Sequence, residues 1–283
     1  MKKGLRAIAE RKGKALQRVA RRRARPSAGT EIGASEEAGP SLVVATYNVH
    51  TCVGTDRRYD PARIAAVLCE LAADIISLQE VVAHRDGANL PDQGSFLAQE
   101  TGLRAISLPQ GADHRSRFGN AILTSLPVLA VRHIDLSVDG YAPRGALDVD
   151  LDAGRHRLRV VATHFGLRGG ERRAQAQRLL GALTGRDDGN GAIPAVDAAT
   201  AILMMGDLNE WRGRRGGIRA LDRELGHAPA PRTFPSWCPI LPLDRIYAAP
   251  PALLRDFDVH RSPLARLASD HLPLRARLAW RPA

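Results

Sequence analysis

A four-layered α/β sandwich, two mixed β-sheets packed face to face with helices outside, is the fold this 283-residue sequence predicts, and three observations predict it. Apolar strand-like runs recur from residue 41 onward and outnumber the segments of helical period. Two of the runs are joined through a helix, which makes them parallel, whereas others follow one another directly, which makes the sheets mixed. With 44% hydrophobic residues the chain can fill a substantial core, so one globular catalytic domain is expected over residues 41–283.

The elements follow in order. Residues 42–47 (LVVATY) read as the first strand. Asp60 is an N-cap, Pro61 suits the first helical position, and Ile64, Val67, Leu68 and Leu71 share one face, which predicts a helix leading to a strand at 74–80. Strands are expected at 119–124, 128–134, 145–151, where GALDVDL alternates, and 157–163. A helix over 171–185 opens with Glu171, and its many charges beside Leu179, Leu180 and Leu183 place it on the outside. The Pro/Gly-rich stretch 186–197 reads as a loop, and strands at 201–205, 243–248 and 273–280 complete the chain. No internal repeat of 20–50 residues is present.

The formal charge of +11 is unevenly placed. Residues 1–25 hold 11 Lys/Arg against the single acid Glu10, so the body is nearly balanced. Residues 1–40 therefore read as a basic arm and a flexible, Pro/Gly-bounded linker, suited to contact with anionic membrane or nucleic acid. The arm lacks the apolar core of a secretory signal, and no run approaches the ~18 apolar residues that span a bilayer. A cytoplasmic, monomeric protein, at most peripheral on a membrane or nucleic acid, is expected. Cys52, Cys69 and Cys238 form no CxxC, so neither a disulfide framework nor a thiolate zinc site is indicated.

Five polar punctuations close or follow apolar runs: Tyr47-Asn48-Val49-His50, Gln79-Glu80-Val81, Thr163-His164-Phe165, Gly206-Asp207-Leu208-Asn209 and Ser269-Asp270-His271. A sheet that delivers carboxylates, amides and imidazoles where its strands emerge is building a site. Hard Mg²⁺ takes one or two carboxylates and keeps several waters, which makes Glu80 the leading metal ligand. Asn48 can accept from a metal-bound water or donate to phosphate without adding charge. In GDLNEW, Gly206 lets the backbone turn, while Asp207 can orient or deprotonate water and Asn209 can hold a phosphate oxygen. His164 and His271 follow strands or turns. Asp270 faces away from His271 in regular extended chain, splitting metal and chemical roles between them. Asp244 in LPLDRIYA is the natural orienting carboxylate for an imidazole. Arg144 in YAPRGALDV is either a bidentate phosphate ligand or a surface ion pair, and Asn120 either touches the site or fixes a turn.

In order and context TYNVH, LQEV, THFG, GDLNEW, LDRI and SDHLPL resemble the endonuclease/exonuclease/phosphatase superfamily over residues 41–280. The resemblance implies a DNase I-like fold and metal-dependent cleavage of a phosphate ester by direct water attack. Mg²⁺ is the implied ion, with Mn²⁺ the alternative. It implies that Glu80 holds the metal with Asn48 and Asp270 close by, and that Asn209 and His164 contact the scissile phosphate. His271 paired with Asp244, or else Asp207, would activate water. Abasic-site endonucleases carry an acid where this chain has His50, which argues against close kinship with them. The substrate is a nucleic acid, a phospholipid or a small phosphodiester. The alternative function is an inactive binding protein of the same fold, which would typically have lost Glu80, Asp207 or His271.

Overall fold

The computed structural model describes residues 41–82, 92–107, 119–185, 200–212 and 216–280. The expected arm, the linker and the loop at 186–197 lie outside the described residues. The first strand, β1 (Ser41–Asn48), leads through helix α1 (Pro61–Leu71) to β2 (Ile75–Val81). The Asp60 carboxylate caps α1 by accepting from the Arg63 N–H at 3.0 Å. Helix α2 (Gln93–Thr101), β3 (Arg104–Ser107), β4 (Gly119–Thr124), β5 (Val128–Asp135), β6 (Gly145–Ala153) and β7 (His156–His164) follow. Helix α3 (Gly169–Thr184) joins β7 to β8 (Ala201–Asp207), and α4 (Arg219–Glu224) precedes β9 (Asp244–Ala249). The chain closes with β10 (Leu254–Val259), α5 (Pro263–Ala268) and β11 (Leu274–Ala279).

Among the described residues six strands form one sheet in the order β10-β11-β1-β2-β4-β3, and five form the other in the order β5-β6-β7-β8-β9. Each sheet has one parallel pair at its centre, β1 with β2 and β7 with β8, and each pair is bridged by a helix. Their neighbours run antiparallel, so both sheets are mixed. The larger apolar cluster runs from Ile64, Leu68 and Leu71 of α1 through the first sheet to Leu147, Val160 and Leu203 of the second. A second cluster packs Ala176, Leu179 and Leu183 of α3 onto the far face of the second sheet, at Ala146, Val161 and Met204. Helix, sheet, sheet and helix are the four layers that the sequence predicts. Among the described residues no helix is long and apolar enough to cross a membrane.

Three short helices (α2, α4 and α5) and the edge strands β3 and β10 carry too few periodic apolar residues to stand out in the sequence. The reading of Gly206 is corrected. It lies inside β8, not in a turn, and a Cβ there would fall 1.9 Å from the Thr163 carbonyl oxygen. Only glycine lets β7 and β8 approach so closely immediately before Asp207.

A ladder of charge crosses β5, β6 and β7. Asp148, fully buried, accepts from Arg159 at 2.8 and 2.9 Å and from Arg132 at 2.8 and 3.2 Å. Burial alone would raise this carboxyl, but the two guanidinium groups outweigh it and hold it below the usual carboxylate range. A carboxyl depressed on folding stabilises fully above its unfolded value, and that contribution is lost as pH falls from about 4 through the folded value. Asp148→Asn should therefore cost about 3 kcal/mol at neutral pH and flatten the acid limb of the stability curve. Urea unfolding from pH 7 downward checks this; parallel curves for variant and wild type would refute it.

Candidate active site

The topology gathers the polar punctuations at one end of the sandwich. The parallel strands β1 and β2 end at Asn48 and beside Glu80, and β7 and β8 end at His164 and Asp207. Strands β9 and β11 run antiparallel to these, so Asp244, which starts β9, and Asp270-His271, which precede β11, arrive at the same end. The two sheets each contribute half of the cluster.

Asn48 joins the halves. Its amide nitrogen donates to Glu80 Oε1 at 3.0 Å within the first sheet and to Asp207 Oδ2 at 3.1 Å in the second. Its own Oδ1 accepts from the His50 N–H at 3.0 Å. One neutral amide thus holds two carboxylates that would otherwise repel. Glu80 is half-buried and adopts φ 59°, and the β2–β4 register breaks between Leu78 and Val81. A left-handed glutamate at a β-bulge is strained backbone, and such strain gathers where a side chain must be aimed. Asn209, at φ 50°, is a second case.

Asp207 is the hub of the imidazoles. Its Oδ2 lies 3.6 Å from Nε2 of both His164 and His271, and its Oδ1 accepts from the Asn209 N–H at 2.9 Å. Burial opposes its charge, but His271 and His164 with these hydrogen bonds hold it below the ordinary range. His271 Nδ1 donates to Asp244 Oδ2 at 3.0 Å, and the Thr233 hydroxyl donates to the same oxygen at 2.5 Å. Burial works against the His271 charge as well, yet Asp244 and Asp207 more than offset it and push its pKa up to about 10. His164 moves the other way: burial lowers it, Asp207 offsets only part, and Arg144 adds to the lowering. The two imidazoles therefore differ in charge at neutral pH.

Each residue singled out in the sequence has a definite place. Asn209 donates to His164 Nε2 at 3.1 Å and to the Phe165 carbonyl at 2.9 Å. The Ser269 hydroxyl donates to the Asn48 carbonyl at 2.7 Å and lies 3.3 Å from Asp270 Oδ1, which sets half-buried Asp270 beside Asn48. Arg144 makes no ion pair among the described residues; its Nε is buried without a hydrogen-bond partner, and its charge is felt at His164. Asn120 donates to the Gly145 carbonyl at 2.9 Å and so ties β4 to β6. Thr233 escaped sequence reading, because nothing in the sequence marks a threonine 11 residues before Asp244; Ser269 opens the Ser269-Asp270-His271 motif, but its bond to the Asn48 carbonyl is visible only in the fold.

Helix α3 lies on the outside as expected, but two charges of its first turn do not face solvent: Glu171 and Arg172 are buried, Arg172 at 1% exposure. Arg172 Nε donates to fully buried Glu210 Oε2 at 3.2 Å, its Nη1 to the Leu167 carbonyl at 2.6 Å, and its guanidinium lies 5.0 Å from the Trp211 ring centre. Glu210 Oε2 also accepts from the Gly217 N–H at 2.6 Å, and a Cβ on Gly216 would strike the Glu210 carboxylate at 2.1 Å. The pair clamps the segment after His164 to the segment after Asn209.

The donor set suits a hard dication. Glu80 and Asp207 converge on one amide with no lysine or arginine pairing Glu80 among the described residues, and Asp270 stands beside them. Asp207, Asp244 and His271 also place one ligating atom each within 4.8 Å of one another. There the imidazole already bonds Asp244, and Mg²⁺ favours oxygen, so the Glu80 side is the better seat.

Carboxylates and imidazoles assembled at the strand ends of a two-sheet sandwich define a phosphoester hydrolase. The chain belongs to the endonuclease/exonuclease/phosphatase family, whose profile matches residues 45–271, and this family generally works with a divalent metal. The protein YbhP of Escherichia coli (strain K12), described as uncharacterized, is 31% identical over 269 residues, covering 84% of this chain and 96% of its own. The crystal structure of an endonuclease/exonuclease/phosphatase from Beutenbergia cavernae superposes with a TM-score of 0.61 at 24% identity, covering 84% of this chain and 71% of that one. The mannosyl-6-phosphatase Bt3783 of Bacteroides thetaiotaomicron gives a TM-score of 0.64 at 18% identity, covering 84% of this chain and 100% of that one. The two solved structures share its DNase I-like fold.

Proposed function

We propose that the protein is a Mg²⁺-dependent phosphodiesterase that cleaves its ester by direct attack of water. The observation that carries this reading is Asp207 Oδ2, which meets Asn48, and through it Glu80, on one side and both imidazoles on the other. Glu80, with Asn48 and Asp270 close by, would hold the cation, which when bound would supply Lewis-acid stabilisation of the charge growing on the phosphate. Asp244 fixes the His271 ring with Nδ1–H donated, so Nε2 faces Asp207. With His271 already protonated at neutral pH, Asp207 takes the proton of the attacking water, and the imidazolium that Asp244 fixes orients and charge-stabilises that carboxylate. Asn209 gives a phosphate oxygen the amide N–H that now goes to His164 Nε2, and neutral His164, with its ring proton moved from Nδ1 to Nε2, donates to the same phosphate. Arg144, with an unsatisfied buried Nε, is a third phosphate ligand. An inactive binding protein would have no need to keep Glu80, Asp207 and His271 in this register.

The test is hydrolysis of bis(p-nitrophenyl) phosphate by metal-stripped protein with Mg²⁺ or Mn²⁺ restored. Glu80→Gln should lower turnover by about 10²-fold or more, because a neutral amide holds the cation poorly. Metal-independent turnover, or near-wild-type turnover in a folded Glu80→Gln protein at saturating Mg²⁺, would end the assignment.

A further inference from the structure

Large apolar side chains crowd the end of the sandwich that carries the site. Singly exposed apolar residues are ordinary, but a contiguous set marks an interaction surface. Leu167, at 65% exposure, follows His164, and Trp211, at 44%, follows Asn209. They are neighbours, because Arg172 bonds the Leu167 carbonyl and lies against the Trp211 ring. Trp237, at 71%, and Ile240, at 57%, stand on the segment that leads into Asp244. That segment is fixed to the other side of the site: the Ser236 N–H donates to the Asp270 carbonyl at 2.7 Å, and the Phe234 ring lies 4.9 Å from the His271 ring. The apolar side chains therefore flank the cluster on two sides.

The exposed charge of these segments is one-sided, since Glu210 is buried. Exposed Arg168 and Arg212 directly follow Leu167 and Trp211, and exposed Arg232 is the only charged residue between 229 and 243. Apolar tips beside arginine heads match a surface that is greasy below and anionic at its face. We infer that this rim seats the active site on an anionic phospholipid bilayer and that the ester cleaved belongs to a lipid headgroup. The inference rests on the phosphodiesterase reading for its substrate, but the docking itself does not. A nucleic acid fits less well. Leu167 and Ile240 have no flat face on which a base could stack, and the body of the chain lacks the broad basic excess of a duplex binder.

The experiment uses the full chain, vesicles of equimolar phosphatidylcholine and phosphatidylglycerol, and the same vesicles with brominated acyl chains. A basic arm alone can tether the protein, but only side chains entering the bilayer are quenched by bromine. Tryptophan emission should be quenched, and the quenching should survive salt that screens simple tethering. Trp237→Ser with Ile240→Ser should weaken the salt-resistant association by more than about tenfold, since each side chain forfeits its transfer into an apolar phase. Hydrolysis of the soluble diester should stay at the wild-type level, which also shows that the variant is folded. Binding without quenching, equal quenching in wild type and variant, or a tryptophan response to a single-stranded oligonucleotide but not to vesicles would overturn the inference. Quenching by a protein that hydrolyses no diester would leave the docking standing and remove the phosphodiesterase reading instead.

Discussion

His271→Ala is expected to lower kcat on a soluble phosphodiester by about 10²- to 10⁴-fold while leaving the fold intact, the range that positioned proton transfer contributes. The His271 ring is buried, donates to Asp244 at 3.0 Å and faces Asp207 at 3.6 Å, so alanine removes the middle of a three-membered chain. Asp244→Asn keeps the shape but lets the ring turn or change tautomer, and should cost less. If the chain acts as a unit, the double variant is no slower than His271→Ala alone, because Asp244 has nothing left to orient. Penalties that add in free energy would show two independent contributions and break the unit. The kinetics should be read at saturating Mg²⁺, so that weakened cation binding does not pass for lost proton transfer.

The largest effect on stability is expected at Arg172→Met. Arg172 and Glu210 are both buried, and removing one partner of such a pair typically costs about 3–5 kcal/mol, because the charge left behind has no water to turn to. Adding Glu210→Gln should recover part of that loss: the amide oxygen still accepts from the Gly217 N–H, and no stranded charge remains. Urea midpoints of the two single variants and the double close the cycle. A double variant no more stable than Arg172→Met would assign the cost to lost packing against Trp211 rather than to charge.

The sandwich was legible because its central strands are long, apolar and closed by polar residues, and because α1 announces itself through Asp60, Pro61 and one apolar face. The edge elements were not. β10 buries only Val259, so nothing in its composition separates it from a loop. The candidate residues were legible as residue types at strand ends, yet their partners were not. The bridge from Asn48 to Asp207 spans 159 positions, and no local pattern encodes it. Two charges at the start of helix α3 hid their burial for a related reason. Glu171 and Arg172 look like solvated charge in sequence, and only the fold brings Glu210 and glycines without side chains to receive them.

The Asn48–Asp207 bond also sets the tolerance to which the two layers must be aligned. Each sheet owns half of the chemistry, so the constellation has no rigid frame of its own; it is the meeting point of two plates held in register by the apolar seam between them. A slip of an ångström along that seam, from a methyl group gained or lost at Val149, Val160 or Leu203, would part a carboxylate from its amide without disturbing either sheet. Selection on catalysis in such a molecule falls on the filling between the plates as well as on the groups at their edge, and drift in the seam is limited by alignment before it is limited by unfolding.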